Sequence, residues 1–370
     1  MSAEVGIGIV GYGLMGRAHA HGYTLAPRIR ALRWTPRLRL ISGRDADAVA
    51  AAAVRYGVEE WTTEWRDVVC HRDVDIVDVC TPPGTHAEIV ETAVAAGKAI
   101  VCEKPLAVGY SSAAAAARAA ADAGVPNAIG FNYRQLPALA LMKELVDDGR
   151  VGDVLLWRGV WLSDEFLDPD IPFDWRFERA LGGSTIADLG AHLIDLALWV
   201  VGEIESVAAQ SATFTRERSA RPVDVDEASS GLLRFASGAR GALETARVCV
   251  RRPCDFSVEV NGTSGTLRFD YPNLNELWYG DARDDPHLYG LRRIRAEHPS
   301  HPSAADWWPI GQGIGYGATF VNQAADHLER WPDGPWEPDL AQGARVQRVC
   351  EALERAAVEE RWVRVEEIGG

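Results

Sequence analysis

Lys104, Asp188 and His192 are the residues of this chain whose types and spacing could do chemistry. Asp188, His192 and Asp195 fall at i, i+4 and i+7 in Gly182-Gly183-Ser184-Thr185-Ile186-Ala187-Asp188-Leu189-Gly190-Ala191-His192-Leu193-Ile194-Asp195-Leu196. This reads as a glycine loop, an N-cap at Ser184 or Thr185, and an amphipathic helix. On one helical face, a carboxylate can hold the imidazole in one tautomer while its other nitrogen meets a substrate, which suits a general base. A core histidine satisfied by Asp195 gives the same pattern. No further His or Cys stands at a spacing that suggests a metal site, so none is expected. Lys104 follows the short apolar run Ala99–Cys102 in Glu103-Lys104-Pro105. At the carboxyl edge of a sheet its ammonium would stand close to a bound cofactor, with Pro105 able to adopt a cis bond. Taken alone, the same lysine reads equally as a surface residue whose charge snorkels to water.

The element that must position these groups is Ile7-Gly8-Ile9-Val10-Gly11-Tyr12-Gly13-Leu14-Met15-Gly16, an apolar strand running into a glycine turn and a helix expected over residues 14–25. Gly11 permits the tight turn, Gly13 lets the backbone approach a pyrophosphate, and Gly16 allows helix to pack closely on strand. The phosphates would sit on free N–H groups at the positive end of the helix dipole. Residues 26–36 read as a loop. The second strand, 38–41, ends at Ser42-Gly43-Arg44-Asp45, the ribose end of such a site. Asp45 reads as a ribose ligand or as the cap of a helix Ala46–Tyr56, and Arg44 as a 2′-phosphate contact or as a guanidinium stacked on adenine. NAD is the expected cofactor, with NADP the alternative because of Arg44.

Further units follow: strand and helix over 61–69, a buried strand over 74–80 ending at Thr81-Pro82-Pro83-Gly84-Thr85-His86, a helix over 86–96, the strand Ala99–Cys102, a helix over 111–123 and a strand over 127–131. Alternating strands and helices imply a parallel doubly wound sheet, with Thr81, Pro82 and His86 at its crevice. From residue 150 the pattern changes to β-like runs at 154–161, 204–213, 227–235, 240–248, 256–260 and 266–269. Consecutive strands without intervening helices imply a mostly antiparallel sheet. Residues 284–309 read as an irregular loop, 340–358 as a helix and 361–365 as a last strand. The expected architecture is a dinucleotide-binding domain, 1–131, and an α/β domain on a large open sheet, 132–370.

Composition excludes several classes. With 38 basic against 53 acidic residues among 370, the net charge of -15 repels phosphate backbones and anionic lipid, so no nucleic-acid or membrane partner is expected. No apolar run approaches the ~20 residues of a spanning helix. The N-terminus enters the first strand without a leader pattern, and the expected compartment is the cytoplasm. Six cysteines without C-x-x-C spacing read as free, mostly packed thiols.

Gly11-Tyr12-Gly13-Leu14-Met15-Gly16, Glu103-Lys104-Pro105, and Asp188 with His192 four residues on, in that order, resemble the Gfo/Idh/MocA oxidoreductases over nearly the whole chain. Gly130-Phe131-Asn132-Tyr133-Arg134, Trp175-Arg176, Val223-Asp224-Val225-Asp226-Glu227 and Gly313-Ile314-Gly315-Tyr316-Gly317 are similar to its sugar and cyclitol dehydrogenase branch. The resemblance implies hydride transfer between a nicotinamide and a secondary hydroxyl of a sugar, anhydrosugar or cyclitol. Lys104 would bond the reacting hydroxyl and the cofactor ribose, His192 would take the proton, and Asp188 would position substrate and lysine. It implies further that Glu103, Trp175 and Arg176 serve the cofactor and that Asn132, Tyr133, Arg134 and Tyr316 serve the substrate. The outer face of the open sheet would make a homodimer or homotetramer. An enzyme that recycles NAD during glycoside hydrolysis or elimination, or a non-catalytic dinucleotide-binding regulator, would carry the same nucleotide motif.

Overall fold

In the computed structural model, which describes residues 3–369, the glycine turn leaves the third strand of a six-stranded parallel sheet. Its elements are β1 (Ala3–Val10), α1 (Leu14–Ile29), β2 (Trp34–Ser42), α2 (Ala46–Tyr56), β3 (Glu60–Thr62), α3 (Trp65–Cys70), β4 (Ile76–Val79), α4 (His86–Ala95), β5 (Ala99–Cys102), α5 (Tyr110–Ala123) and β6 (Asn127–Ile129). The order β3-β2-β1-β4-β5-β6 reverses direction between β1 and β4, where a doubly wound sheet opens its crevice. Residues 5–10 of β1 are all buried, as a strand covered on both faces must be, so its sequence is a continuous apolar run with two glycines.

The loop expected over 26–36 is shorter than its Pro and Arg content suggested. α1 continues to Ile29 with Pro27 inside its last turn, where it forgoes the one helical bond its missing N–H would make, and β2 starts at Trp34. The added length of β2 pairs with the start of β1, from Ala3 opposite Trp34 onward.

A second compact unit comprises Leu136–Gly315 and the residues from Val346 on, while Tyr316–Arg345 belongs with the parallel sheet. The second unit contains α6 (Pro137–Asp147), β7 (Val154–Leu162), a π turn Ile186–Gly190 running into α7 (Ala191–Val200), β8 (Ile204–Ala212), the small hairpin β9 (Glu217–Arg218) and β10 (Arg221–Pro222), β11 (Ala228–Phe235), β12 (Arg240–Ala246), β13 (Asp255–Gly262), β14 (Gly265–Asp270), β15 (Glu276–Asp281), β16 (Arg292–Arg295) and, at its end, β17 (Val363–Arg364). Nine of these strands form one sheet, β16-β15-β14-β13-β7-β12-β11-β8-β17, antiparallel except where β12 runs parallel to β7. Burial alternates along β11, β12 and β13, so one face is core and the other carries Arg234, Arg240 and Glu244 to the surface. β15 was not among the strands expected, and β16 lies within the stretch expected to be irregular.

α7 departs from the amphipathic stripe expected of it. Every residue from Ala191 to Leu198 is buried, because the helix packs against both β7 and α6. The remaining helices are α8 (Ala318–Glu329) and α9 (Leu340–Glu359). α8 lies on α1 at Gly22, where a Cβ would come within 2.6 Å of the Phe320 carbonyl oxygen. No helix among the described residues is long and apolar enough to cross a membrane. The six cysteines are free: Cys80, Cys102 and Cys350 are buried, Cys70 is exposed, and Cys249 and Cys254 lie between.

His327 of α8 is buried, its imidazole stacked on Trp336 at 4.7 Å, and its Nε2 has no hydrogen-bond partner. Burial pulls its pKa down to about 4. A depressed pKa means stability that is present above the unfolded value near 6.5 and is lost as pH falls toward 4. The difference corresponds to about 3 kcal/mol. Urea unfolding at pH 7 and pH 4.5 is expected to show a smaller acid loss in His327→Leu than in the wild type, by about 2 kcal/mol. Equal losses would mean that His327 is not held neutral.

Candidate active site

The glycine turn has the shape that a pyrophosphate requires. Gly11 has φ +107°, and a Cβ there would meet the Cys80 carbonyl oxygen at 2.7 Å. A Cβ on Gly16 would lie 2.0 Å from the Gly11 carbonyl oxygen, so only glycine lets α1 start this close to β1. Beyond Gly13 there is open space within 4 Å, and no side chain caps α1. The first N–H groups of the helix, at Leu14, Met15 and Gly16, are therefore left for an anion at the positive end of the dipole. These residues fit the diphosphate of a dinucleotide.

Around the end of β2, the Gly11 N–H donates to the Ser42 carbonyl (3.0 Å) and the Tyr56 hydroxyl donates to the Tyr12 carbonyl (2.8 Å). The Tyr12 ring lies against Gly43, where a Cβ would fall 2.0 Å from it. Asp45 resolves as the cap of α2, accepting the Ala48 N–H at 2.9 Å. Ser42 is buried and Arg44 is exposed.

At the carboxyl ends of β4 and β5, the His86 ring spans the Thr81 carbonyl oxygen (2.6 Å) and the Pro105 carbonyl oxygen (2.8 Å). Burial holds its pKa below the ordinary value. The Glu103 carboxylate accepts the Lys104 N–H at 3.1 Å, and the Lys104–Pro105 bond is cis. Thr81, Pro82, His86, Glu103 and Lys104 thus gather at one edge of the parallel sheet. In the same unit, the buried Asn132 amide donates to Thr319 Oγ1 (2.9 Å), and the Tyr133 and Tyr316 rings meet at 5.8 Å. Arg134, in the same turn as Asn132 and Tyr133, is half-buried.

In the second unit, Asp188 sits in the π turn and His192 in the first turn of α7. The turn is held from outside by Asp226, which accepts the Thr185 N–H (2.9 Å), the Ile186 N–H (3.2 Å) and the Ser184 and Ser229 hydroxyls (2.9 and 2.7 Å). Ser184 itself accepts the Ala187 N–H at 3.2 Å, as an N-cap does. Asp188 is flanked by two guanidinium groups, that of Arg247 and that of Arg176, whose Nε lies at 3.3 Å. Arg247 also bonds Glu165 and lies over the Phe166 ring. Arg176 also bonds Asp174 and lies over Trp175 at 4.4 Å. His192 is buried, its ring 5.4 Å from that of Trp161. Reasoning from the sequence missed Arg247, Glu165 and the capping role of Asp226. An arginine closing an otherwise alternating strand run was the one available signal for Arg247.

A parallel doubly wound sheet with an uncapped glycine turn, joined in one chain to an open-sheet unit bearing an Asp-His helix, defines a two-domain Rossmann oxidoreductase. Residues 5–131 match the oxidoreductase family, NAD-binding Rossmann fold, and residues 139–268 match the GFO/IDH/MocA C-terminal domain. The chain belongs to the Gfo/Idh/MocA oxidoreductase family. It is 34% identical to levoglucosan dehydrogenase of Pseudarthrobacter phenanthrenivorans over 99% of both chains. Its identity to inositol 2-dehydrogenase of Rhizobium meliloti is 30%, over 79% of this chain and 84% of the relative. Among solved structures, levoglucosan dehydrogenase in complex with NADH and levoglucosan superposes with a TM-score of 0.96 at 35% identity, covering 98% of this chain and 99% of the other.

Two outcomes follow from the geometry. Asp226→Ala strands several buried donors and is expected to lower unfolding free energy by about 2–4 kcal/mol, measured by urea denaturation, whereas Asp226→Asn retains part of the cap and loses less. If Arg44 stacks on adenine, Arg44→Ala is expected to weaken NADH and NADPH alike, a few-fold each. Titration by nicotinamide fluorescence reads both, and a loss confined to NADPH would assign Arg44 to a 2′-phosphate instead.

Proposed function

We propose that this NAD-dependent oxidoreductase oxidises one secondary hydroxyl of a sugar, anhydrosugar or cyclitol. The observation that carries the reading is the likeness to levoglucosan dehydrogenase along the whole of both chains, together with the presence of Lys104, Asp188 and His192. NAD, when bound, supplies the hydride acceptor. In this reading the residues at 11–16 hold the diphosphate, Ser42 and Arg44 meet the adenosine end, and Thr81, Pro82, His86, Glu103, Trp175 and Arg176 complete the cofactor contacts. NADP is the alternative that Arg44 would accommodate.

As the carbinol carbon gives up hydride, alkoxide character grows on its oxygen. The Lys104 ammonium stabilises that charge and the His192 imidazole removes the proton. Asp188, beside two arginines, acts as a fixed anion that positions the substrate and the lysine. Asn132, Tyr133, Arg134 and Tyr316 contact the substrate. The outer sheet face, where Leu156 and Leu232 are exposed among polar side chains, serves a homodimer or homotetramer. The enzyme works in the cytoplasm.

The test is absorbance in the reduced-nicotinamide band with levoglucosan, other anhydrosugars, free sugars and inositols, each with NAD or NADP. Net reduction with at least one of them is expected. Lys104→Ala should then lower kcat about 10²–10⁴-fold while NADH still binds. Bound NAD without net reduction on any polyol would overturn the dehydrogenase reading in favour of a cofactor-recycling enzyme.

A further inference from the structure

His19 of α1 is 5% exposed and has a carboxylate on each side of its ring. Nδ1 lies 2.9 Å from both oxygens of Asp78 on β4, and Nε2 lies 3.0 Å from Glu103 Oε1 at the end of β5. Ionised carboxylates only accept, so the ring serves both by donating from each nitrogen, which makes it an imidazolium. Asp78 is wholly buried and accepts as well from the Cys80 thiol (3.3 Å) and the Tyr23 hydroxyl. Burial alone would lower the His19 pKa, but the Asp78 charge and its hydrogen bond override this and hold it well above the ordinary value.

The second carboxylate leads to the reacting end of the sheet. Glu103 accepts His19 through one oxygen and the Lys104 N–H through the other, at 3.1 Å. Its place is made by Gly130, where a Cβ would fall 2.7 Å from Glu103 Oε1. The other titratable groups about the ring are Cys102 on β5 and His327 on α8, both buried. His19, Asp78 and Cys80 also stand close enough to surround a cation. Burial, with Asp78 beside it, keeps the Cys80 thiol protonated, and the imidazolium already supplies the positive charge between the two carboxylates.

We propose that His19 is a positioning residue: clamped as an imidazolium between Asp78 and Glu103, it fixes the Glu103–Lys104 backbone and so sets where the Lys104 ammonium stands during the reaction. The catalytic half of this statement rests on the function proposed above. Displacing a reacting group by about 1 Å can cost on the order of 100-fold in rate, and an untethered Glu103 would leave the lysine backbone free to move by that much.

The test pairs a spectrum with kinetics. In ¹⁵N-histidine-labelled protein at pH 8, His19 is expected to show both ring nitrogens protonated, an observation that needs no turnover. His19→Gln leaves one amide to face two carboxylates and is expected to lower kcat about 10-fold or more, with Kd for NADH changed less than about threefold on the folded fraction. His19→Lys keeps one cation between the two carboxylates and is expected to retain more of the kcat than His19→Gln. A singly protonated ring, a kcat unchanged in His19→Gln, or an equal loss in His19→Lys would each overturn the proposal. If His19→Gln does not fold, the spectrum and the kcat of His19→Lys decide. Full activity in Lys104→Ala would instead sink the lysine role in the reaction, and the catalytic half of this proposal with it, while the spectrum still reads the bridge.

Discussion

The parallel-sheet unit depends on one close backbone approach. The first turn of α1 passes so near the end of β1 that a single methyl group on Gly16 would collide with the Gly11 carbonyl at 2.0 Å. That contact aims the free N–H groups of the helix at the space beyond Gly13, and it keeps α1 against the sheet so that His19 reaches β4 and β5. The same constraint that makes an anion site therefore places a cation under the carboxyl ends of the strands. Dipole and buried imidazolium act on different charges: the first on a ligand outside, the second on two carboxylates inside.

The second unit is organised by buried charge more than by propensity. Asp226 satisfies the start of the π turn, and its neighbour Glu227 forms a fully buried pair with Arg218 at 3.0 Å while accepting the N–H groups of Phe214 and Thr215. Arg218 also donates to the carbonyls of Phe166 and Asp168, and so ties the segment after β7 to the small hairpin. Arg247 then bonds Asp188 and Glu165. Buried ions of this kind add little net stability, but removing one partner strands the other, so they enforce one arrangement of the polypeptide around the Asp-His helix.

A pattern-based reading does best where one residue type has one physical job. The glycine turn, the apolar β1 run, the cap at Asp45 as one of two readings, and the strands β7, β8 and β11 to β14 were legible because their periods or steric needs are local. The helix carrying His192 was located correctly but was expected to show an exposed face. It is buried all round because it packs against both β7 and α6. β16 was missed because Arg-Arg-Ile-Arg has almost no alternation to read.

The sequence by itself determined the class of fold, the dinucleotide turn and the family, since each follows from local spacing that any copy of the motif must obey. Only the tertiary structure decided who neutralises whom. Asp188 lies four residues from His192, yet its carboxylate is bonded by arginines 12 residues before it and 59 after it. His19 lies 59 residues from one of its carboxylates and 84 from the other. Such partners carry no periodicity and no fixed spacing, because a buried charge selects its counterion by proximity in the folded chain and not by distance along it.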